Sequence, residues 1–245
     1  MSGRLTYIGH ATVAVELDGV RMLTDPVLRA RVAHLARQVP SATEAMVGGL
    51  DAVLLSHAHR DHLDLPSLQR LRPVCPVIVP RGHGGLLAGV FPEVIEVAAG
   101  DRVRVGALEI EATAAAHDGR RHPIGRDVPA VGFVMHGTRS VYFAGDTDLF
   151  AGMSDLHDAL DVALLPVAGW GPRVPAGHLD PERAAQAAAL LNPRIAIPIH
   201  WGTYAAPGSK AADPTAPPRE FAEQTKQLAP DVDVRILQPG DATNF

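Results

Sequence analysis

The sequence has little cysteine, and this limits the kinds of metal site that the chain could form. Cys75 is the single cysteine among 245 residues. It has no second cysteine with which to form an internal disulfide or a zinc site built from thiolates. A metal bound by this chain must therefore be held by histidine and carboxylate side chains.

Long hydrophobic runs and an excess of positive charge are also missing. No stretch approaches the ~18 apolar residues that a membrane-spanning helix needs, and no apolar signal segment follows Met1. The formal net charge is -5, which disfavours binding along a nucleic-acid backbone, although a local basic patch stays open. We therefore expect a cytoplasmic protein without a membrane span, whose substrate is a small soluble molecule.

The length and the order of predicted elements favour one α/β domain over residues 1–245. Each half of the chain reads as a block of short strands followed by helices. In the second half, an Ala-rich helix capped by Asp180 is predicted over Pro181–Leu191, and an apolar strand over Ile195–Ile199. Two such blocks predict an αββα sandwich, in which two mixed sheets pack face to face and helices cover their outer sides.

Three further segments are predicted from local patterns. A short helix is expected over His83–Val90, and a final strand over Val232–Leu237. Residues 27–49 are less regular and are expected to form a flexible loop over a site.

The stretch at residues 52–64 carries the clearest chemical signal. A short apolar run is followed at once by His57, His59, Asp61 and His62. On a helix these side chains would fan around the axis, whereas on a loop that leaves a strand they can point in pairs at two neighbouring positions. Imidazole and carboxylate are common ligands of zinc-like cations. The spacing therefore suggests a site for two metals.

Three more candidate residues follow predicted strands later in the chain. His117 follows a strand over Leu108–Ala115, while Asp146 and His200 each come directly after an apolar run. Since every candidate lies at the C-terminal end of a strand, we expect the site at one edge of the sandwich, where loops from both halves converge.

This order of histidines and aspartates resembles the metallo-β-lactamase fold of metal-dependent hydrolases, over nearly the whole chain. The flanking segments look like the branch that contains ascorbate-6-phosphate lactonase and bacterial relatives of N-acyl-phosphatidylethanolamine phospholipase D. They are Tyr7–Thr12, Leu23–Pro26, Gly177–Ala184 and Ile199–Thr203. The substrate does not follow from such a resemblance, because one fold serves many reactions.

The resemblance implies a role for each candidate residue. It implies that one metal is held by His57, His59 and His117, that the other is held by Asp61, His62 and His200, and that Asp146 bridges them. Asp61 and His178 are the candidate catalytic residues, and the resemblance implies that His178 faces the substrate. The metals would be zinc, with manganese or iron as the alternatives, because the same ligands accept several divalent ions.

Several other residues allow two interpretations, a role in the site or a purely structural one. Asp25 could accept a hydrogen bond from a ligand imidazole or simply form an Asp-Pro turn, and His10 could lie in the site or in a strand break. Four arginines could clamp an anionic group or be solvated: Arg120, Arg121, Arg126 and Arg173. The remaining histidines are expected at the surface or in structural roles: His34, His83, His122, His136 and His157.

The leading functional hypothesis is a hydrolase in which two metals activate a bridging hydroxide that attacks a phosphodiester, lactone or ester. A nuclease of the same fold is the alternative enzyme, but it would need a basic groove or an added domain. A non-catalytic metal-binding protein is the other alternative; closed structural sites typically use about four ligands, whereas about seven are available here. The oligomeric state stays open.

Overall fold

The computed structural model describes residues 3–71, 74–121, 128–156, 160–168, 174–206 and 213–245. The strands in these ranges are β1 Arg4–Gly9, β2 Thr12–Leu17, β3 Val20–Thr24, β4 Arg31–Val32, β5 Leu35–Arg37, β6 Ala52–Leu54, β7 Val77–Pro80, β8 Val94–Val97, β9 Arg102–Val105, β10 Leu108–Asp118, β11 Pro129–His136, β12 Ser140–Phe143, β13 Val162–Pro166, β14 Ile195–Ile199, β15 Tyr204–Ala205, β16 Asp233–Val234 and β17 Ala242–Asn244. The helices are α1 Glu44–Val47, α2 Leu65–Leu71, α3 Pro181–Leu191 and α4 Ala216–Leu228, and two 3-10 turns span Gly84–Leu87 and Met153–Leu156.

Two seven-stranded sheets form the centre of the fold. The first has the strand order β17-β1-β2-β3-β6-β7-β8, and the second has the order β16-β14-β13-β12-β11-β10-β9. Both sheets are mixed, because each joins an antiparallel part to a parallel part. A small third sheet has the order β15-β5-β4.

The inner faces of the two large sheets share one hydrophobic core. Tyr7 and Leu54 from the first sheet belong to the same buried cluster as Phe133 and Leu164 from the second. The strand β13 is buried along its whole length, which matches its continuous apolar sequence and its position between two parallel neighbours. Burial of this shared core is what holds the sheets face to face.

Helices cover the outer sides of the sheets. On the second sheet, α3 packs against β13 and α4 against β14. The buried side of α3 is made mostly of alanines, so this helix can approach its neighbours closely. On the first sheet, Leu68 of α2 packs with Val53 and Val77 in a second buried cluster. The predicted αββα sandwich is confirmed.

Several element boundaries differ from the sequence predictions. Helix α3 has the predicted bounds, but the helix expected over His83–Val90 is only the 3-10 turn Gly84–Leu87, which begins with two flexible glycines. The strand expected over Val232–Leu237 is only two residues long, although Arg235 N still donates to Ala196 O of β14 and the Arg235 side chain donates to Thr243 and Asn244.

The segment expected to be a flexible loop over a site contains β4, β5 and α1. Strand β5 pairs with β15, and Gln38 N donates to Thr203 O just after His200. The segment therefore lies beside the predicted site, but it is held there by a small sheet. Among the helices in the described ranges, none is long and apolar enough to cross a membrane.

Candidate metal centre

The predicted site residues lie at the ends of strands along one edge of the sandwich. The histidine loop, residues 57–63, follows β6 of the first sheet. In the second sheet, His117 lies near the end of β10, while Asp146 follows β12 and His200 follows β14. The structure brings these side chains from both sheets together.

Three imidazoles turn their nitrogens toward one another, and we call them the first group. His57 Nε2 lies 3.0 Å from His59 Nδ1, and His117 Nε2 lies 3.1 Å from the same atom. Three nitrogens bound to one zinc ion at about 2.0–2.1 Å in a tetrahedral arrangement would be ~3.3 Å apart. The first group therefore has nearly the spacing that a single cation needs.

Four side chains form a second group, namely His10, Asp61, His62 and His200, whose candidate ligand atoms all lie within 4.8 Å of one another. His62 Nε2 and His200 Nε2 are 3.2 Å apart. Asp61 Oδ2 lies 3.6 Å from His62 Nε2 and 3.9 Å from His200 Nε2. The three residues that the resemblance assigns to the second metal are thus adjacent, and His10 joins them.

The carboxylate of Asp146 lies between the two groups and is almost fully buried. Its Oδ2 atom is 3.0 Å from His62 Nε2 of the second group and 3.8 Å from His57 Nε2 of the first. Its Oδ1 atom is 3.3 Å from His200 Nε2. This is the position that a ligand shared by two cations would occupy.

Hydrogen bonds on the outer side of the rings fix which nitrogen faces inward. His62 Nδ1 donates to Asp25 Oδ2 at 2.7 Å, and His117 Nδ1 donates to the Gly177 carbonyl at 2.8 Å. His200 Nδ1 donates to the carbonyl of Ala168, also at 2.8 Å. Since these acceptors need the proton on Nδ1, the inward Nε2 atoms keep a lone pair, which is what a metal ligand requires.

Ser56 extends the same arrangement to His57. The Ser56 hydroxyl donates to Asp25 Oδ2 at 2.5 Å, and its oxygen lies 2.9 Å from His57 Nδ1, from which it accepts a hydrogen bond. Asp25 Oδ1 also accepts from Ser56 N at 2.8 Å. One buried carboxylate therefore orients a histidine of each group, directly for His62 and through Ser56 for His57.

Two features show that the residues fit a divalent cation. Lone pairs on His62 Nε2 and His200 Nε2, only 3.2 Å apart, repel one another unless a proton or a cation lies between them. Within the described part of the chain, the buried Asp146 Oδ1 atom makes no hydrogen bond. A buried carboxylate oxygen without a partner is costly, and a bound cation would satisfy it.

The protonation states also suit a cation. Burial lowers the pKa of His117 to about 4 and that of His57 well below its usual value, so both rings are neutral at pH 7. Burial opposes protonation of His62 as well, but the nearby carboxylates of Asp146 and Asp61 raise its pKa well above the usual value. The centre therefore attracts positive charge at the position of His62 Nε2, where a cation can replace the proton.

His10 supports the second group from the turn between β1 and β2. It has a positive φ of 57°, and its carbonyl accepts a hydrogen bond from His200 N at 2.8 Å. Its Nε2 atom lies 3.2 Å from Asp61 Oδ2. Burial is the largest cause that lowers the pKa of His10, to about 3, so the neutral ring donates to the Asp61 carboxylate. Of the two interpretations of His10, the position agrees with a place in the site; its role stays a prediction.

His178 lies at the same centre but outside both groups. Its Nε2 atom is 3.3 Å from Asp146 Oδ2, and its Nδ1 atom is 3.3 Å from the Ala176 carbonyl. The side chain is 16% exposed, whereas that of Asp146 is 2% exposed. His178 is thus placed between the buried carboxylate and the solvent, where a substrate would arrive.

The arginines do not share one role. Arg120 pairs with the exposed carboxylate of Asp118, and Arg121 donates to backbone carbonyls of the histidine loop. Arg126 and Arg173 lie outside the described residues, as do His122 and His157.

Sequence reasoning missed two polar contacts near the centre. The only signal for Ser56 was its position directly before His57. His83, expected at the surface or in a structural role, is buried and donates to the Gly119 carbonyl at 3.0 Å. His34 is exposed and His136 lies beside Glu111, as expected for residues outside the centre.

Comparison with known proteins identifies the family of the chain. A profile of the family described as "Beta-lactamase superfamily domain" matches residues 20–201. The chain belongs to this superfamily. Together with the cluster of histidines and aspartates, the match identifies a metal-dependent hydrolase of the metallo-β-lactamase fold.

Three relatives within or beside the superfamily are informative. A UPF0173 metal-dependent hydrolase of Methanopyrus kandleri is 32% identical, and the alignment covers 98% of each chain. The N-acyl-phosphatidylethanolamine-hydrolyzing phospholipase D 1 of Caenorhabditis elegans is 31% identical over 81% of this chain and 64% of its own length. The structure of Igni18, a metallo hydrolase from Ignicoccus hospitalis, has a TM-score of 0.77 and 28% identity, and the superposition covers 100% of this chain and 99% of that one.

Proposed function

We propose that this superfamily member is a binuclear hydrolase, with residues 1–245 forming one domain. The first group would hold one divalent cation and Asp61, His62 and His200 the other, with Asp146 shared. Zinc is the first choice because it suits neutral imidazoles, and manganese and iron are the alternatives. The observation that carries the proposal is the buried Asp146 carboxylate, which lies within 3.8 Å of imidazole nitrogens of both groups.

The chemistry that two such cations supply is a water whose pKa falls from ~15.7 toward neutrality, so that a nucleophile for hydrolysis exists at pH 7. The protein's own residues orient the site. His10 donates to Asp61 Oδ2, the oxygen that faces His62 and His200, and so holds this carboxylate in place. Asp25 and Ser56 hold His62 and His57 with their Nε2 atoms inward.

His178 is proposed to contact the substrate. Burial opposes its protonation, but the hydrogen bond with Asp146 raises the pKa of His178 above its usual value. A partly exposed imidazole beside the centre can donate a hydrogen bond to the oxygen that gains negative charge, or protonate the leaving group. His178 would therefore act on the substrate side of the centre, while the buried rings hold the cations.

A phosphodiester of a small molecule is the first substrate class that we propose. The Caenorhabditis elegans relative carries the name of a phospholipase D, which cleaves a phosphodiester bond, and it aligns with 81% of this chain. Lactones and carboxylic esters are the alternatives, since the same centre can polarise a carbonyl oxygen.

A substrate panel run with defined metals tests the proposal. The metal-free protein would be loaded with zinc, manganese or iron and assayed with bis(p-nitrophenyl) phosphate, p-nitrophenyl acetate and a homoserine lactone. We expect turnover of at least one substrate that is lost in His59→Ala and Asp146→Ala. Turnover that is the same in these variants as in the wild type would contradict the proposed site.

A further inference from the structure

The segment that follows His117 makes contacts with the histidine loop that are separate from the inward-facing nitrogens. The carbonyl of Gly119 accepts a hydrogen bond from Ala58 N at 3.3 Å and another from His83 Nε2 at 3.0 Å. His83 is 5% exposed, and burial lowers its pKa, so the donor is a neutral imidazole. The backbone after β10 is thus fastened to the loop after β6.

Arg121 connects the same two segments through further hydrogen bonds. Its Nη1 atom donates to the Ala58 carbonyl at 3.0 Å and to the Leu63 carbonyl at 2.5 Å. These carbonyls lie near the beginning and at the end of the histidine loop, so a single guanidinium spans the loop. Among the described residues, no carboxylate forms an ion pair with Arg121, and its hydrogen bonds go to the two loop carbonyls.

Gly119 also lies close to the backbone at the beginning of β11. A Cβ atom added at Gly119 would lie 2.4 Å from Val128 O, just before β11, and 2.9 Å from Ala130 N in β11. No other residue fits at this position without moving β11. We call Gly119, His83 and Arg121 together the loop clamp.

The first group takes His57 and His59 from one segment and His117 from another. The distances between its nitrogens therefore depend on how the two segments are held. We propose that His83 and Arg121 are positioning residues, which set the affinity of the first group for its cation through the loop clamp. This inference rests on the proposed role of His57, His59 and His117 as ligands.

The rival account is that Arg121 binds an anionic group of the substrate, as its sequence position allowed. In the structure its Nη1 atom already donates hydrogen bonds to two carbonyls of the histidine loop. A substrate role predicts a higher KM with unchanged metal binding, whereas a positioning role predicts weaker metal binding. The two accounts can therefore be separated without knowing the natural substrate.

The test measures zinc affinity of the metal-free protein by competition with a chromophoric chelator. Arg121→Gln should bind one of two zinc equivalents about 10–100-fold more weakly, the range seen when a supporting contact of a ligand is removed. Arg121→Lys, which keeps a cationic donor, should recover part of the loss. The matched control is Arg81→Gln, because Arg81 is an exposed loop arginine that pairs with Asp101, and its affinities should equal those of the wild type.

Two further variants locate the effect. His83→Ala should weaken the same equivalent, and the Arg121→Gln loss should disappear when it is combined with His59→Ala, which already removes a ligand of the first group. The absorption spectrum of the cobalt-loaded protein should shift in Arg121→Gln and be unchanged in Arg81→Gln, since it reports ligand geometry.

Unchanged zinc affinities in Arg121→Gln together with a raised KM would overturn the inference and favour the substrate role. Equal loss of both equivalents, with a lowered melting temperature of the metal-free protein, would also overturn it, because the effect would then be general folding. A wild-type chain that binds no cation would overturn both this inference and the proposed function.

Discussion

Asp25 is a single carboxylate that supports one histidine in each group. It accepts from His62 Nδ1 directly, and it reaches His57 through the hydroxyl of Ser56. A change at Asp25 therefore reaches both proposed cation sites, while a change at Ser56 reaches only the first.

Asp25→Asn should weaken the binding of both cations by about 10–100-fold, because both carboxylate oxygens accept hydrogen bonds and the amide would turn an NH2 group toward one set of donors. Ser56→Ala should weaken only one of the two. Chelator competition with the metal-free protein measures both affinities. A Ser56→Ala variant in which both cations are weakened equally would contradict the relay through the hydroxyl.

His178 separates a substrate role from a ligand role. If it contacts only the substrate, His178→Ala should keep both cations and lower kcat on the order of 10², as expected for the loss of one proton donor or transition-state hydrogen bond. Elemental analysis and steady-state kinetics with an active member of the substrate panel measure the two quantities. His34→Ala is the control, since His34 is exposed on the turn between β4 and β5.

Two results would reject this role for His178. Loss of a cation together with activity would make it a ligand, which its position beside His117 and Asp146 allows. Full metal content with wild-type turnover in His178→Ala would show that His178 neither binds a cation nor acts on the substrate.

At the level of elements, the beginning of α3 determines where His178 is presented. Asp180 is the N-cap residue, its side chain accepts from Arg183 N at 2.8 Å, and Pro181 occupies the first turn. These signals fix the start of the helix three residues after His178. They are local in sequence, which is why the predicted bounds of α3 are confirmed.

Asp180→Ala should lower the free energy of unfolding by about 1 kcal/mol, the usual cost of losing an N-cap side chain. Denaturant titration of the metal-loaded protein provides the measurement. Thr43→Ala is the matched control, because Thr43 is the N-cap of α1 but makes no side-chain cap hydrogen bond. A loss at Thr43 as large as that at Asp180 would contradict the assignment.

Two of the wrong element predictions have a common cause. The segment over Val232–Leu237 is apolar enough for a strand, yet only Asp233–Val234 pairs with β14. Residues 27–49 have no clear period, yet β5 finds a partner in β15, far along the chain. Strand pairing depends on the distant partner, which local patterns do not contain. The contacts of Ser56, His83 and Arg121 were missed for the same reason.

For the whole molecule, the proposed cation sites would link the two sheets. The first group combines His57 after β6 with His117 on β10, so a cation held by this group would connect elements of both halves. Cations that bind only the folded chain stabilise it by mass action. Metal removal with a chelator should therefore lower the melting temperature by about 5–10 °C relative to protein with free metal near 100 Kd.

Calorimetry with and without added zinc measures this shift, and His59→Ala should show a smaller one. A melting temperature that does not depend on metal would mean that the cations do not join the sheets.

The sandwich itself and the positions of the seven ligand candidates could be predicted, because apolar strands ending in histidine or aspartate are a local signal. The roles of the candidates stay predictions.

The number of cations per chain tests the central claim most directly. After reconstitution with excess zinc and removal of free metal, elemental analysis of the wild-type protein should give two zinc ions per chain. Asp146→Ala should give fewer, because it removes the carboxylate between the groups. A wild-type content of one zinc ion per chain, unchanged in Asp146→Ala, would contradict the binuclear site.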